Sequence, residues 1–171
     1  MKQYDLYIFD VDGTIAERDT TDLLPGVAEW FAGNQTAVAF ATNQGGVGLR
    51  YWMETARFGE PEKYPTAEVI TARLESLAEK LQVKWENIYY SFAYQSKSSD
   101  NWSPVPAGIT EAMSPEWFPA SRKPNPGMLL EAISDNRAKS AVMVGDSEED
   151  EAAARAAGID FIHADDFFGR N

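Results

Sequence analysis

Apolar and polar residues fall into blocks along this chain, and the blocks follow two periods. Tyr4–Phe9 (YDLYIF), Thr36–Ala41 (TAVAFA), Asn87–Tyr94, Ser140–Val144 (SAVMV) and Ile159–His163 are short runs without helical spacing. They read as five strands, and the most apolar of them as strands buried on both faces. Thr66–Gln82 differs: Ile70, Leu74, Leu77 and Leu81 recur at helical spacing and predict an amphipathic helix. Shorter helices are expected over 25–32, with Pro25 as the first helical residue, and over 49–57. Two more follow, from Asn125–Pro126 as cap and first turn to about Asn136, and from Glu148 to Ala157, stopped by Gly158. Residues 13–24 are polar and read as a loop. Residues 95–121 hold four prolines and no sustained periodicity, so a long loop is expected there; such loops are functional or disordered.

Strands separated by helices predict an α/β, Rossmann-like three-layer sandwich, a parallel sheet with helices on both faces. A length of 171 residues fits one domain, 1–171. In such sheets ligands bind beyond the carboxyl ends of the strands. Asp10, Thr42, Lys123 and Asp146 all fall at or just past a strand end or at a following helix start.

Composition narrows the chemistry. Hydrophobic residues make up 44% of the chain, enough for an ordinary core. Cysteine is absent, which removes disulfides and thiolate metal sites and suits a reducing compartment; a cytoplasmic location is expected. No apolar run has the length of a membrane span. The formal net charge of −12 repels phosphate backbones, so extended nucleic-acid binding is disfavoured. It repels small phosphate esters too, so a site for one needs a bound cation and a few local positive groups.

The sequence Asp10-Val11-Asp12-Gly13-Thr14 follows the first apolar run directly. Chance occurrence of such a pentapeptide pattern is on the order of once in 10⁵ positions at ordinary residue usage. A strand-terminating turn with solvated acids is the bland explanation, and it leaves the downstream motifs unexplained. Those motifs are Thr42-Asn43-Gln44, Arg122-Lys123-Pro124, and Gly145-Asp146-Ser147 with Asp150. Taken in order, the four resemble the haloacid dehalogenase superfamily of phosphatases.

The resemblance implies specific roles. Asp10 is the nucleophile that forms an aspartyl-phosphate, and Asp12 the general acid and base. Thr42 and the Asn43 amide donate to phosphate oxygens, and Lys123 supplies positive charge to the phosphoryl group and to Asp10. Magnesium is held by Asp10, the carbonyl of Asp12, Asp146 directly, and Asp150 directly or through water. Asp146 and Asp150 have a plainer reading as acids at a helix N-terminus, which is all that Glu148, Glu149 and Glu151 are expected to be. The acid at position 12 favours phosphate monoester hydrolysis over carbon–halogen cleavage. The implied strand order is 5-4-1-2-3. Only residues 11–41 separate Asp10 from Thr42, too few for a helical cap domain, so loops alone should cover the site.

Thr42–Gly48 and Arg122–Met128 are similar to the subgroup containing histidinol-phosphatases, heptose bisphosphate phosphatases and polynucleotide 3′-phosphatases. The first two often carry a zinc-binding Cys/His cluster before the lysine motif; here residues 95–121 have neither residue type, so no zinc is expected. Trp102, Trp117, Phe118, Tyr51 and Trp52 either pack the loops onto the domain or stack on a substrate, with Arg50 or Arg122 holding a second anionic group. His163 is expected to be structural. The expected activity is a magnesium-dependent phosphomonoesterase acting on a small phosphorylated metabolite. A polynucleotide 3′-phosphatase and a non-catalytic phospho-binding module remain alternatives.

Overall fold

The computed structural model describes residues 2–171. Its chain order is β1 (Leu6–Phe9), α1 (Val27–Gly33), β2 (Ala37–Asn43), α2 (Gly46–Ala56), α3 (Ala67–Leu81), β3 (Ile88–Ser91), α4 (Gly127–Asp135), β4 (Ala141–Gly145), α5 (Glu148–Ala157), β5 (Asp160–His163) and α6 (Ala164–Phe168). The strands form one parallel sheet in the order β3-β2-β1-β4-β5, the expected order read from the other edge.

Each face of the sheet packs its own core, because side chains alternate along a strand. Phe9, Val38, Phe40 and Val144 meet Ile70, Leu74, Leu77 and Leu81 of α3 on one side. Leu6, Ile8, Ala39, Ala41 and Met143 meet Met128, Leu129 and Ala132 of α4 and Ala153 and Ala154 of α5 on the other. The small alanines of β2 lie on the α4 side, where small side chains let a helix approach the sheet closely. No described helix is long and apolar enough to cross a membrane. No large cap interrupts the segment between β1 and β2, which holds only the loop 10–26, the seven residues of α1 and the short link 34–36.

Several helix ends differ from expectation. The first helix begins at Val27, not Pro25, behind a left-handed Gly26 (φ 84°) that turns the chain into the helix. Asn125 does not cap α4: its side-chain amide donates to the Pro119 carbonyl at 2.9 Å, and Pro126 holds the cap position. Helix α6 was not expected. It is five residues long, and His163 Nδ1 caps it by accepting from the Asp165 amide at 3.2 Å. Its Phe167 and Phe168 close over Phe9, with ring centroids 5.5 and 5.9 Å away. The long segment 95–121 contains two single-turn helices, Pro115–Trp117 and Pro119–Ser121.

Candidate active site

The carboxyl ends of β1, β2 and β4 converge on a group of buried charges. β1 runs out at Phe9 and delivers Asp10, which is 8% exposed. β2 delivers Thr42 and Asn43 from its last two positions, and β4 ends at Gly145 just before Asp146. Adjacent strands in register bring Phe9 level with Val144, so Asp10 and Asp146 follow side by side.

Lys123 is the hub. Its side chain is 2% exposed, and its ammonium donates to Asp10 Oδ1 (3.0 Å), Asp150 Oδ1 (2.6 Å) and the Ala41 carbonyl (2.7 Å). An ammonium has three N–H groups, so all are used. Burial pulls the lysine down, but Asp10 and Asp150 more than reverse this, and Lys123 stays charged above its ordinary range. Asn43 grips the same residue through the backbone: its Nδ2 donates to the Lys123 carbonyl (2.9 Å) and its Oδ1 accepts from the Lys123 amide (3.0 Å). The Asn43 side chain thus holds the lysine loop against β2, a contact the sequence did not suggest.

Asp150 forms a capping box with Ser147 at the start of α5. Its Oδ2 accepts from the amides of Asp146 (3.1 Å) and Ser147 (3.2 Å) and from Ser147 Oγ (2.9 Å), while Oδ1 takes Lys123. Few lone pairs remain for a metal. Asp146, by contrast, is exposed at the mouth. Asp10, Asp146 and Asp150 can each bring one oxygen to within 4.8 Å of the others. Three carboxylates gather near one lysine that pairs with only two of them, so negative charge is under-compensated. Burial pushes the Asp10 carboxyl up to about 7 against the pull of Lys123, and Asp150 and Asp146 add to the rise. Asp146 is raised as well, by burial and then by Asp150. A hard divalent cation bound by oxygen ligands fits this donor set. Gly13 fits it too: at φ 80°, a Cβ there would collide with Asp146 Oδ2, so only glycine lets the loop approach this carboxylate.

Asp12 faces another environment. Its Oδ1 accepts from Arg73 Nη2 (2.7 Å) and the Asp19 amide (3.2 Å), and its Oδ2 from Gln44 Nε2 (2.9 Å). Gln44 also donates to the buried Thr42 Oγ1 at 2.9 Å, so this hydroxyl accepts from Gln44 and keeps its own hydrogen to donate elsewhere. Arg73 and Gln44 were not predicted as site residues.

The loop 13–25 is anchored by three cations. Arg73 takes the carbonyls of Glu17 and Thr20, Lys80 that of Thr21, and Arg170 those of Thr14 and Pro25. The predicted rim groups divide. Arg50 is occupied by Glu54 and the Tyr64 carbonyl. Trp117 packs edge-on against Tyr51 and Phe92, at 5.7 and 5.1 Å, so these aromatics fasten the loops to the domain. The Arg122 side chain makes a single hydrogen bond among the described residues, from Nη1 to the Ala93 carbonyl at 3.0 Å, and burial lowers its pKa. A cavity of about 450 Å³ beside Trp85, Tyr90, Glu116 and Met128 includes none of the predicted site residues.

A family described as HAD-hydrolase-like, for haloacid dehalogenase, matches residues 120–164, the stretch holding Lys123, Asp146 and Asp150. No curated protein matches this chain by sequence. Among solved structures, the D,D-heptose 1,7-bisphosphate phosphatase from B. bronchiseptica, complexed with magnesium and phosphate, superposes with a TM-score of 0.59 at 20% identity, over 92% of this chain and 78% of that one. A putative phosphoglycolate phosphatase from Lactobacillus plantarum gives a TM-score of 0.51 at 17% identity, over 96% and 87%. With the family's signature in residues 120–164 and its architecture across the sheet, the resemblance read from the four motifs is borne out as a shared structure, and this chain has the haloacid dehalogenase-like fold.

Proposed function

We propose that this chain is a magnesium-dependent phosphatase that hydrolyses a small phosphate monoester through an aspartyl-phosphate on Asp10. The observation that carries the reading is the buried Lys123 shared by Asp10 and Asp150, with Asp146 at the mouth beside them. The two similar solved structures are phosphatases by name, and one holds magnesium and phosphate, which supports the same reading.

Asp10 and Asp146 would hold the metal, with the carbonyl of Asp12. Asp150, already engaged by Lys123 and the α5 cap, supports it from behind. When bound, magnesium supplies positive charge that favours the ionised Asp10 and orients a phosphoryl group before it. Lys123 fixes Asp10 Oδ1 and leaves Oδ2 to attack phosphorus. The Thr42 hydroxyl donates to a phosphoryl oxygen. Asp12 protonates the departing alcohol oxygen and later takes a proton from the water that cleaves the aspartyl-phosphate. Arg122, next to Lys123 in the chain, would contact the rest of the substrate.

The test is a turnover screen with magnesium over small phosphate monoesters, with 3′-phosphorylated oligonucleotides as a separate arm. Wild-type protein should hydrolyse at least one class, and Asp10→Asn, nearly isosteric, should lose all turnover while melting like wild type. Binding without hydrolysis across the panel would favour the phospho-binding module. Full activity in Asp10→Asn would remove the aspartyl-phosphate mechanism.

A further inference from the structure

One buried charge lies outside the reaction described so far. Arg73 sits three residues after Ile70 and four before Leu77, inside the apolar stripe of α3, and its side chain is only 9% exposed. Arginine in a core stripe needs a reason, because its desolvation is costly. Its Nε and Nη2 take the Thr20 carbonyl (2.7 Å), Asp12 Oδ1 (2.7 Å) and the Glu17 carbonyl (3.3 Å). Its third nitrogen, Nη1, is buried without a partner among the described residues. A methionine would fill a similar volume without an orphaned donor, so packing alone does not account for the residue.

We propose that Arg73 is a positioning residue for proton transfer by Asp12. It pins Asp12 Oδ1 and, through Glu17 and Thr20, the loop that follows Asp12. The other oxygen, Oδ2, faces only the neutral amide of Gln44, which in turn touches Thr42. Oδ2 is therefore the oxygen that the arginine leaves available for proton transfer. In the first step the bond from Asp10 Oδ2 to phosphorus forms, and the bond from phosphorus to the ester oxygen breaks. The electron pair stays on that oxygen, and the proton on Asp12 Oδ2 moves to it. The inference rests on the phosphatase reading and adds a requirement to it: Arg73 matters in proportion to the leaving alcohol's need for a proton.

The experiment measures kcat/KM with magnesium for a series of monoesters, from 4-nitrophenyl phosphate to simple alkyl phosphates, since kcat/KM reports events up to alcohol release. Arg73→Met should stay within about threefold of wild type on the nitrophenyl ester and fall by about 100-fold on alkyl esters, the scale of general acid catalysis. Asp12→Asn should steepen the series likewise. Arg73→Met placed on Asp12→Asn should add little, because both changes remove one function. Arg73→Lys, which keeps the charge but not the paired bonds, should fall between and carries the test if Arg73→Met does not fold. An equal loss on every ester, in either variant, would make Arg73 a merely structural residue and overturn the proposal. A wild-type protein that turns over none of the esters would instead remove the phosphatase reading, and this inference with it.

Discussion

Asp10 and Asp12 are two residues apart on one turn, yet their surroundings are opposites. Asp10 is buried, shares its only cation with Asp150 and stands near Asp146, so its carboxyl is held up to about 7. Asp12 is half-buried and has donors on both oxygens, including an arginine of its own. The proposed nucleophile is left short of positive charge until a second cation arrives. The proposed acid and base is instead held in one orientation. Under that proposal environment, rather than residue type, separates the two roles.

The harshest way to break this comparison is to remove the shared cation. Lys123→Met leaves Asp10 and Asp150 buried without their partner, and breaking a buried pair from one side costs on the order of 3–5 kcal/mol. Urea unfolding of the metal-free protein should show that loss; a drop below about 1 kcal/mol would mean the site is wetter than its burial implies.

A gentler probe is pH. In the folded metal-free protein Asp10 keeps its proton to about 7, whereas its ordinary value is 3.8. Between these values the folded state binds more protons than the unfolded one, so this group's contribution to stability declines as pH rises from about 4 to 7. Urea midpoints in a chelator at pH 5 and pH 8 should show the decline in wild type and less of it in Asp10→Asn. Magnesium should flatten the wild-type slope, and its binding near pH 6.5 should release protons into weak buffer. Identical slopes in wild type and Asp10→Asn would show that Asp10 does not titrate in this window.

The smallest effect is expected at the rim. Arg122→Ala should raise KM for the true substrate by about tenfold, roughly 1.4 kcal/mol, and change turnover of a small generic ester far less. Equal losses on both would place Arg122 on the phosphoryl group itself, within the Asp10 half of the comparison.

Much of this was legible from residue order. The buried strands were visible as apolar runs, because a sheet covered on both faces leaves little polar alternation. The residues that the fold brings together around Lys123 were visible because motifs at strand ends are local strings. Asp150 shows what the string leaves out: four residues from Asp146 it reads as a candidate metal ligand, held directly or through water, and the fold adds that Lys123 and the α5 cap already engage both of its oxygens. Helix α6 left no trace, since five residues are too few for a period and its Phe167 and Phe168 could equally end a strand. Arg73 and Gln44 act through contacts 61 and 32 residues away along the chain. Arg73 still left one clue, a charge inside the apolar stripe of Ile70, Leu74, Leu77 and Leu81.

The anchoring of the 13–25 loop has a consequence for how such a protein can change. Arg73, Lys80 and Arg170 grip it almost wholly by main-chain carbonyls. A carbonyl is present whatever residue bears it. The exposed side chains of Glu17 and Arg18 can therefore be exchanged while the loop keeps its seat beside Asp10; Asp19, left-handed at φ 61°, has less freedom. Substitutions there can redraw what the rim presents to an incoming molecule without disturbing Asp10 and Asp12.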